Sequence, residues 1–344
     1  RMGKPNSRVL IYFGHVPAEG AGSAIIVYRH LKRFAEAGWA VNVVADWGQD
    51  QSLCRKHGWP VITLSHRKAW WPPFQPNTEL SRNLRAWLWA GEVMALLGRV
   101  KPTGVLTYLS AFSDTLSIAA AGFSRRYRTP LATIVHDDAR CFRQSNIERE
   151  HVHRRRQWIM DRSHRIWYAS PELASAYRGS DERRKVLPPI PEGWNGSRDS
   201  RDWGLDQKIP VIVYAGNYWP PQLPVLASLS DTIQSGGGRL LAVLKQHKDD
   251  PDFLNKHGIE VMPPWDLNTE ALAFFQSTAS AMLVSYAEDS EDMPWTRTSF
   301  PSKFIEYVHL GIPVVIVAPK DTAIYKWAQR NDYHDAFVPE NREA

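Results

Sequence analysis

The stretch that decides the fold reads Ser299-Phe300-Pro301-Ser302-Lys303-Phe304-Ile305-Glu306-Tyr307, and it runs on through Gly311 into the apolar residues 312–318. It predicts a loop, a short helix over residues 302–310 with Pro301 in its first turn and Gly311 just past its end, and then a buried strand. Because they are three or four residues apart, Ser302, Lys303 and Glu306 share one face of that helix. Phe304, Ile305 and Val308 are predicted to point into a core.

The polar face of this helix suits a nucleoside diphosphate. Free N–H groups and the helix dipole favour phosphate at the helix start, where Lys303 adds a full charge and Ser302 a hydroxyl. One turn further, the Glu306 carboxylate can accept hydrogen bonds from two neighbouring ribose hydroxyls. A structural interpretation stays open: Ser302 caps the helix, and Lys303 and Glu306 form a surface ion pair worth about 0.3 kcal/mol.

The length and composition predict a globular protein of about two domains. The chain has 344 residues, of which 43% are hydrophobic and 23% charged. Its two cysteines, Cys54 and Cys141, are far apart, which argues for a reducing compartment and against a zinc site or a disulfide framework. No run approaches the ~18 apolar residues of a membrane span, and no signal peptide opens the chain. We therefore expect a cytoplasmic protein.

Basic and aromatic clusters raise the question of a membrane partner. Basic residues cluster at 125–128, 154–156 and 183–185, in a chain of formal net charge +6. Such runs can contact anionic phospholipid, nucleic acid or a phosphorylated substrate, or be solvated faces. The loop Trp70-Trp71-Pro72-Pro73-Phe74 can enter a bilayer interface, stack on a sugar or pack on the core. We expect peripheral contact with the inner face of the membrane and, lacking a binding module, no nucleic-acid partner.

Strand-like and helical segments alternate along the whole chain. The first half has predicted strands at 8–13, 40–45, 61–64, 105–108, 131–135 and 166–169, and helices at 23–37, 78–97 and 147–161. The second half has strands at 211–215, 240–244, 259–262, 281–285 and 313–317, and helices at 222–234, 267–276, 302–310 and 321–329. Continuous apolar strands between helices predict parallel sheets covered on both faces.

A stretch rich in Pro, Gly, Ser and Asp separates these halves. The predicted fold is therefore α/β, with two doubly wound Rossmann-like domains facing across a cleft. The boundaries are an N-terminal domain over 1–192, a hinge over 193–208 and a C-terminal domain over 209–344. In open α/β folds, ligands bind at the carboxyl ends of the strands.

Two loops of the first half carry candidate residues. Gly20 and Gly22 follow the first strand and let a backbone approach a ligand at a helix start, although such a pair is often only a tight turn. His136 and Asp137 end the strand at 131–135, where the imidazole can donate to a substrate hydroxyl and the carboxylate can orient it. An aspartate capping the next helix is the structural alternative.

Three candidates follow strands of the second half. Gly216 and Asn217 close its first strand, near the expected cleft. Trp265 follows the third strand and can pack on a nucleobase or on the core. The acidic loop over 288–292 is typical of a solvated loop.

These features together resemble the GT-B fold glycosyltransferases, especially glycosyltransferase family 4. The most specific piece is residues 301–307 with 311–315, which matches the form P-S-K-x-x-E-Y…G-x-P-V of bacterial surface-glycan transferases. The glycine loop, His136-Asp137, residues 169–172 and residues 214–216 extend the resemblance over nearly the whole chain.

The resemblance implies a retaining, metal-independent transferase that needs no cofactor. Its donor would be a nucleoside-diphosphate sugar bound by the C-terminal domain, with Glu306 on the ribose and Ser302 and Lys303 on the diphosphate. His136 would touch the donor sugar, and Gly20 and Gly22 would border donor phosphate and acceptor. The acceptor would be a hydroxyl of a glycan or lipid-linked glycan in surface polysaccharide synthesis.

The sequence departs from the family pattern at three places. Thr298 stands where many relatives carry a second Glu, and residues 216–220 lack the usual Arg and Lys, so diphosphate charge falls to Lys303 with Lys245 or Arg297. Relatives usually add a terminal helical segment, so we expect the C-terminal domain to be shortened at its end. Two other functions stay open: a sugar-nucleotide epimerase, and a non-catalytic glycan- or partner-binding protein on a degenerate GT-B scaffold.

Overall fold

Two units make up the chain, Arg1–Pro188 and Pro189–Ala344. The computed structural model describes residues 8–19, 22–45, 48–63, 79–97, 101–111, 114–179, 181–191, 209–244, 251–266 and 268–339. The predicted hinge over 193–208, Gly20, Lys245 and the loop at 70–74 lie outside these residues.

A parallel sheet of seven strands, in the order β3-β2-β1-β4-β5-β6-β7, forms the centre of the N-terminal unit. The strands are β1 Arg8–Phe13, β2 Trp39–Ala45, β3 Val61–Thr63, β4 Gly104–Leu109, β5 Leu131–Val135, β6 Arg165–Tyr168 and β7 Arg184–Val186. The helices are α1 Gly22–Glu36, α2 Ser52–Lys56, α3 Glu79–Leu97, α4 Thr115–Tyr127, α5 Asn146–Asp161 and α6 Pro171–Ser175. All six residues of the central strand β4 are buried, as expected where helices cover both faces.

The C-terminal unit has a parallel sheet of six strands in the order β10-β9-β8-β11-β12-β13. The strands are β8 Val211–Ala215, β9 Arg239–Val243, β10 Glu260–Met262, β11 Ala281–Ser285, β12 Val314–Val317 and β13 Ala336–Phe337. The helices are α7 Leu223–Ser235, α8 Pro251–Lys256, α9 Asn268–Thr278, α10 Ser302–Val308 and α11 Ala323–Arg330.

The strand periodicity assigns alternate side chains to two cores in each unit. In β1, Leu10 and Tyr12 enter one core while Ile11 and Phe13 enter the other. In β8, Val211 and Val213 pack against α9 and α10 on one face of the second sheet. The predicted fold class, two doubly wound α/β sheets, is confirmed.

Several local predictions are wrong. The helix of the opening motif ends at Val308 rather than at residue 310, and Val308 is 39% exposed. Tyr307 takes its place in the core beside Phe304, because positions three apart on this short helix face the sheet. Among the described residues, no helix combines the length and the apolar character needed to cross a membrane.

The basic run at 154–156 is not a surface cluster. Arg154 pairs with Glu150 on the surface, but Arg156 is fully buried and its Nε donates to Asp114 at 3.0 Å. Arg155 holds the other oxygen of the Asp114 carboxylate at 2.9 Å. Buried pairing of this kind is structural, so this run offers less charge to a membrane or nucleic acid than its sequence predicts.

Candidate functional site

The helix α10 begins at Ser302, as predicted. Pro301 is the N-cap and Ser302 the first helical residue, so Ser302 does not cap the helix. The backbone N–H of Phe304 reaches the Pro301 carbonyl at 3.2 Å, while Ser302 and Lys303 are half-buried in the first turn. The helix has seven residues and hence a small dipole, which leaves the lysine as the main positive charge here.

Lys303 lies over the loop that follows β8. Its Nζ donates to the Asn217 carbonyl at 3.2 Å and lies 4.8 Å from the centre of the Tyr214 ring. The Tyr214 hydroxyl donates to the same carbonyl at 2.9 Å. Burial alone lowers the pKa of Lys303 to about 8, whereas a carboxylate partner would raise it. The interpretation of Lys303 as part of a surface ion pair with Glu306 is therefore not supported.

Gly216 makes room for that lysine. Its φ is +98°, and a Cβ at this position would lie 2.6 Å from Lys303 Cε and 2.8 Å from Nζ. Only glycine combines that backbone conformation with so close a neighbour. The structure thus brings Lys303, Gly216 and Asn217 into direct contact, although 86 residues separate Asn217 from Lys303.

Glu306 lies one turn beyond Lys303 on α10, and its side chain reaches the start of the neighbouring helix α9. Its Oε2 is 3.5 Å from Asn268 Nδ2, at the first residue of α9. The Tyr307 hydroxyl donates to the Ala215 carbonyl at 3.2 Å, which fixes α10 against the end of β8. Trp265 packs on Phe274, with ring centres 4.7 Å apart, and is only partly buried. The core interpretation thus accounts for one face of Trp265.

In the N-terminal unit, His136 belongs to an aromatic cluster that the sequence did not reveal. Its ring stacks on Tyr108 at 5.7 Å, and His15 meets Tyr108 edge-on at 5.4 Å. Each of these residues lies within two positions of the carboxyl end of a strand, which is the signal that could have identified them. Gly22 is exposed at the start of α1.

Two histidines of the N-terminal unit, His15 and His30, have lowered pKa values. Burial lowers the pKa of His15, against a hydrogen bond with the Ser23 backbone, and His136 lowers it further. Burial also lowers the pKa of His30, to about 4. Within the described part of the chain, His15 Nε2 and the Tyr108 hydroxyl are buried without a hydrogen-bond partner. They can accept or donate a hydrogen bond to a polar ligand.

Asp137 has a structural contact, because its Oδ2 accepts from the Ala111 N–H at 3.2 Å. The capping role belongs to its neighbour Asp138, which caps the turn Ala139–Phe142 and pairs with Arg140 at 2.6 Å. Across the described ranges, no group of three or more His, Cys, Asp or Glu is arranged to hold a metal ion.

Comparison with solved structures identifies the fold. A glycosyltransferase from Rickettsia africae matches with a TM-score of 0.63 at 14% identity, over 98% of this chain and 86% of that one. Anabaena HepE in complex with UDP and glucose matches with a TM-score of 0.60 at 14% identity, over 97% of this chain and 85% of that one. The fold is that of the GT-B glycosyltransferases.

Another neighbour with this fold is assigned a reaction other than sugar transfer. A Listeria monocytogenes protein assigned as a UDP-N-acetylglucosamine 2-epimerase matches with a TM-score of 0.51 at 12% identity, over 95% of this chain and 82% of that one. No protein-family model and no curated protein matches this sequence. The structural matches establish the GT-B fold. At identities this low they do not establish the reaction, which depends on the residues of the site.

Proposed function

We propose that this protein transfers a sugar from a nucleoside-diphosphate sugar to an acceptor hydroxyl. The observation that carries the proposal is the half-buried ammonium of Lys303, which burial destabilises and which no carboxylate of the described residues stabilises. An anionic ligand would stabilise this ammonium. The Glu306 carboxylate, one helical turn further along α10, is placed to bind a ribose attached to that diphosphate. HepE, crystallised with UDP and glucose on the same fold, supports this choice of ligand.

In this proposal each residue has one task. Lys303 and Ser302 bind the diphosphate and stabilise the negative charge that grows on it as the anomeric C–O bond breaks. Glu306 accepts hydrogen bonds from the ribose hydroxyls, and the free edge of Trp265 borders the base. His136 and its neighbour His15 provide imidazole nitrogens that can hydrogen-bond a sugar hydroxyl. The motif at 301–307 favours family 4 chemistry, with retention of configuration and without a metal ion.

The acceptor in this proposal is a glycan or lipid-linked glycan at the inner face of the membrane, in surface polysaccharide synthesis. Trp87 on α3 supports peripheral membrane contact, because its indole is 53% exposed and the Arg126 guanidinium lies 4.4 Å from its ring centre. An exposed indole beside a cation suits the boundary between acyl chains and anionic headgroups. Binding to anionic vesicles that Trp87→Ala does not weaken would contradict this role for Trp87.

A thermal-shift panel tests the donor site. UDP, GDP, ADP, CMP and TDP are compared on the wild type, Lys303→Ala and Glu306→Ala, with the exposed carboxylate variant Glu270→Ala as the matched control. We expect one nucleotide to stabilise the wild type and the control, by about 2.7 kcal/mol at a hundredfold excess over Kd. Both site variants should fold and lose most of that shift. A full shift in both would refute the proposed site.

The second candidate is a sugar-nucleotide epimerase, which the Listeria neighbour favours. Product analysis separates the two functions, because only a transferase consumes the sugar nucleotide in proportion to an added acceptor. An isomerised sugar nucleotide formed without acceptor would support the epimerase. Binding of a glycan without any dependence on nucleotide would support the non-catalytic scaffold instead.

A further inference from the structure

Two tryptophans of the C-terminal unit form a ring pair that none of the roles above uses. Trp219 follows β8 and Trp295 follows β11, and their ring centres are 4.6 Å apart at an angle of 54°. Trp219 is 47% exposed despite this contact. The exposed Trp219 and the half-buried Trp295 thus form an aromatic corner, and an exposed aromatic surface of this kind commonly marks a binding site.

Both indoles lie on fixed turns. The backbone N–H of Trp219 donates to Gln222 Oε1 at 2.7 Å, and the buried Gln222 side-chain amide donates in turn to the Ser285 carbonyl at 2.5 Å. The Trp295 carbonyl accepts from the Ser299 N–H at 2.8 Å and from the Thr298 N–H at 3.1 Å. The corner is therefore preorganised, which reduces the entropy lost when a ligand binds.

The order of the strands indicates on which side of the diphosphate the two tryptophans lie. Trp219 is two residues from Asn217, whose carbonyl holds the Lys303 ammonium. Trp265 and Asn268, on the side assigned to the nucleoside, follow β10 at one edge of the sheet. Trp295 follows β11, on the other side of β8. A ligand that runs from Glu306 past Lys303 reaches the indole pair at the end opposite to its base.

We infer that Trp219 and Trp295 bind the pyranose ring of the donor sugar, stacking on its apolar C–H face. This inference rests on the proposed donor site. Indole presents a large apolar face with one polar edge, which matches a ring that is apolar on its faces and polar at its rim. It also accounts for a departure in the sequence, since Trp219 lies in the loop where relatives carry basic residues.

The surroundings of Trp295 narrow the class of sugar. The loop that carries Trp295 also lines an open depression of about 750 Å³, with Glu288, Asp289, Glu291, Asp292 and Arg297 from the loop and Asp321 from outside it. Arg297 is already engaged, with Glu291 at 2.7 Å and Asp321 at 2.8 Å. A carboxylate on the sugar would meet a surplus of negative charge here. The inferred donor therefore carries a neutral or amino sugar rather than a uronic acid.

Titration calorimetry with UDP, UDP-glucose and UDP-glucuronic acid tests the inference. For the wild type we expect UDP-glucose to bind more tightly than UDP-glucuronic acid. Trp219→Ala should weaken UDP-glucose about five- to tenfold and leave UDP within twofold, as for the loss of one stacking contact. Trp219→Phe should restore most of the loss. Phe337→Ala, which removes an exposed aromatic side chain of the same unit, is the matched control.

The possible failures point to different conclusions. If Trp219→Ala weakens UDP and UDP-glucose equally, the pair contacts the nucleotide and the inference is wrong. If it weakens neither, or if UDP-glucuronic acid binds best, the sugar assignment is wrong while the donor site stands. If no nucleotide of the thermal-shift panel binds the wild type, or if the one that does binds Lys303→Ala equally well, the donor site fails and this inference with it; if the panel selects another base, the calorimetry uses that nucleotide and its neutral and uronic-acid sugars.

Discussion

Replacing Lys303 by Met should make the protein more stable and unable to hold a nucleotide. Methionine keeps the length and apolar stem of the side chain but removes the charge. The ammonium is half-buried above Tyr214, and its burial lowers the pKa from 10.5 to about 8. A residue kept at a cost to folding is expected where the charge serves a ligand.

The magnitude follows from that shift. About 2.5 pKa units correspond to roughly 3 kcal/mol against the charged form at pH 7. The hydrogen bond to the Asn217 carbonyl and the contact with the Tyr214 ring offset about 2 kcal/mol of this. Lys303→Met should therefore raise the free energy of unfolding of the C-terminal unit by about 1 kcal/mol at pH 7.

The sign of the pH dependence provides a second check. The pKa of Lys303 is lower in the folded than in the unfolded chain, so the unfolded chain binds more protons between about pH 8 and 10.5. The wild type then gains stability as the pH rises toward 10.5, and the advantage of the variant should be smaller at pH 9 than at pH 7.

Urea unfolding at pH 7 and pH 9, with UDP titrations at pH 7, measures both effects. We expect UDP affinity to fall at least tenfold in the variant, because a charge-assisted hydrogen bond to phosphate is lost. Lys320→Met, which removes an exposed lysine of the same unit, should change neither quantity. A variant that is less stable than the wild type at pH 7, or that binds UDP normally, would refute this reasoning.

Three further changes test the structure. Gly216→Ala should destabilise the C-terminal unit by about 1–2 kcal/mol, measured by urea unfolding, because the new Cβ meets Lys303 at a positive φ; unchanged stability would contradict this packing. Arg156→Met should cost about 3–5 kcal/mol by leaving Asp114 buried with one partner fewer, and a loss below 1 kcal/mol in calorimetry would speak against the buried pair. The pKa of His30 is lowered to about 4, so stability is lost as the pH falls from about 6.5 toward 4; His30→Leu should flatten that slope in acid unfolding, and an unaltered slope would exclude His30 as its source.

Segments with clear periodicity were predictable. The strands at 8–13, 131–135, 211–215 and 281–285 have the predicted bounds, because each is an apolar run between turn signals. The helix α4 was missed, since eight of its thirteen residues are buried and its run of small apolar side chains shows no polar stripe.

Contacts across the chain were not predictable to the same degree. The sequence placed Gly216, Asn217 and Lys303 at the carboxyl edge of one sheet, but the 3.2 Å contact between Lys303 and Asn217 depends on the backbone path of the β8 loop. The pair of Trp219 and Trp295 is of the same kind, because tertiary packing alone brings two loops together.

One guanidinium joins two loops at the edge of the N-terminal sheet. Arg156 donates to the Ser110 carbonyl after β4 and, at 2.6 Å, to the Asp137 carbonyl after β5, while it grips Asp114 at the start of α4. Both loops accept hydrogen bonds from the same buried guanidinium, so displacing one loop disturbs the contacts of the other. Arg156 thereby couples the backbone next to His136 to the first turn of α4. A ligand that displaces the imidazole is expected to displace the start of α4 as well.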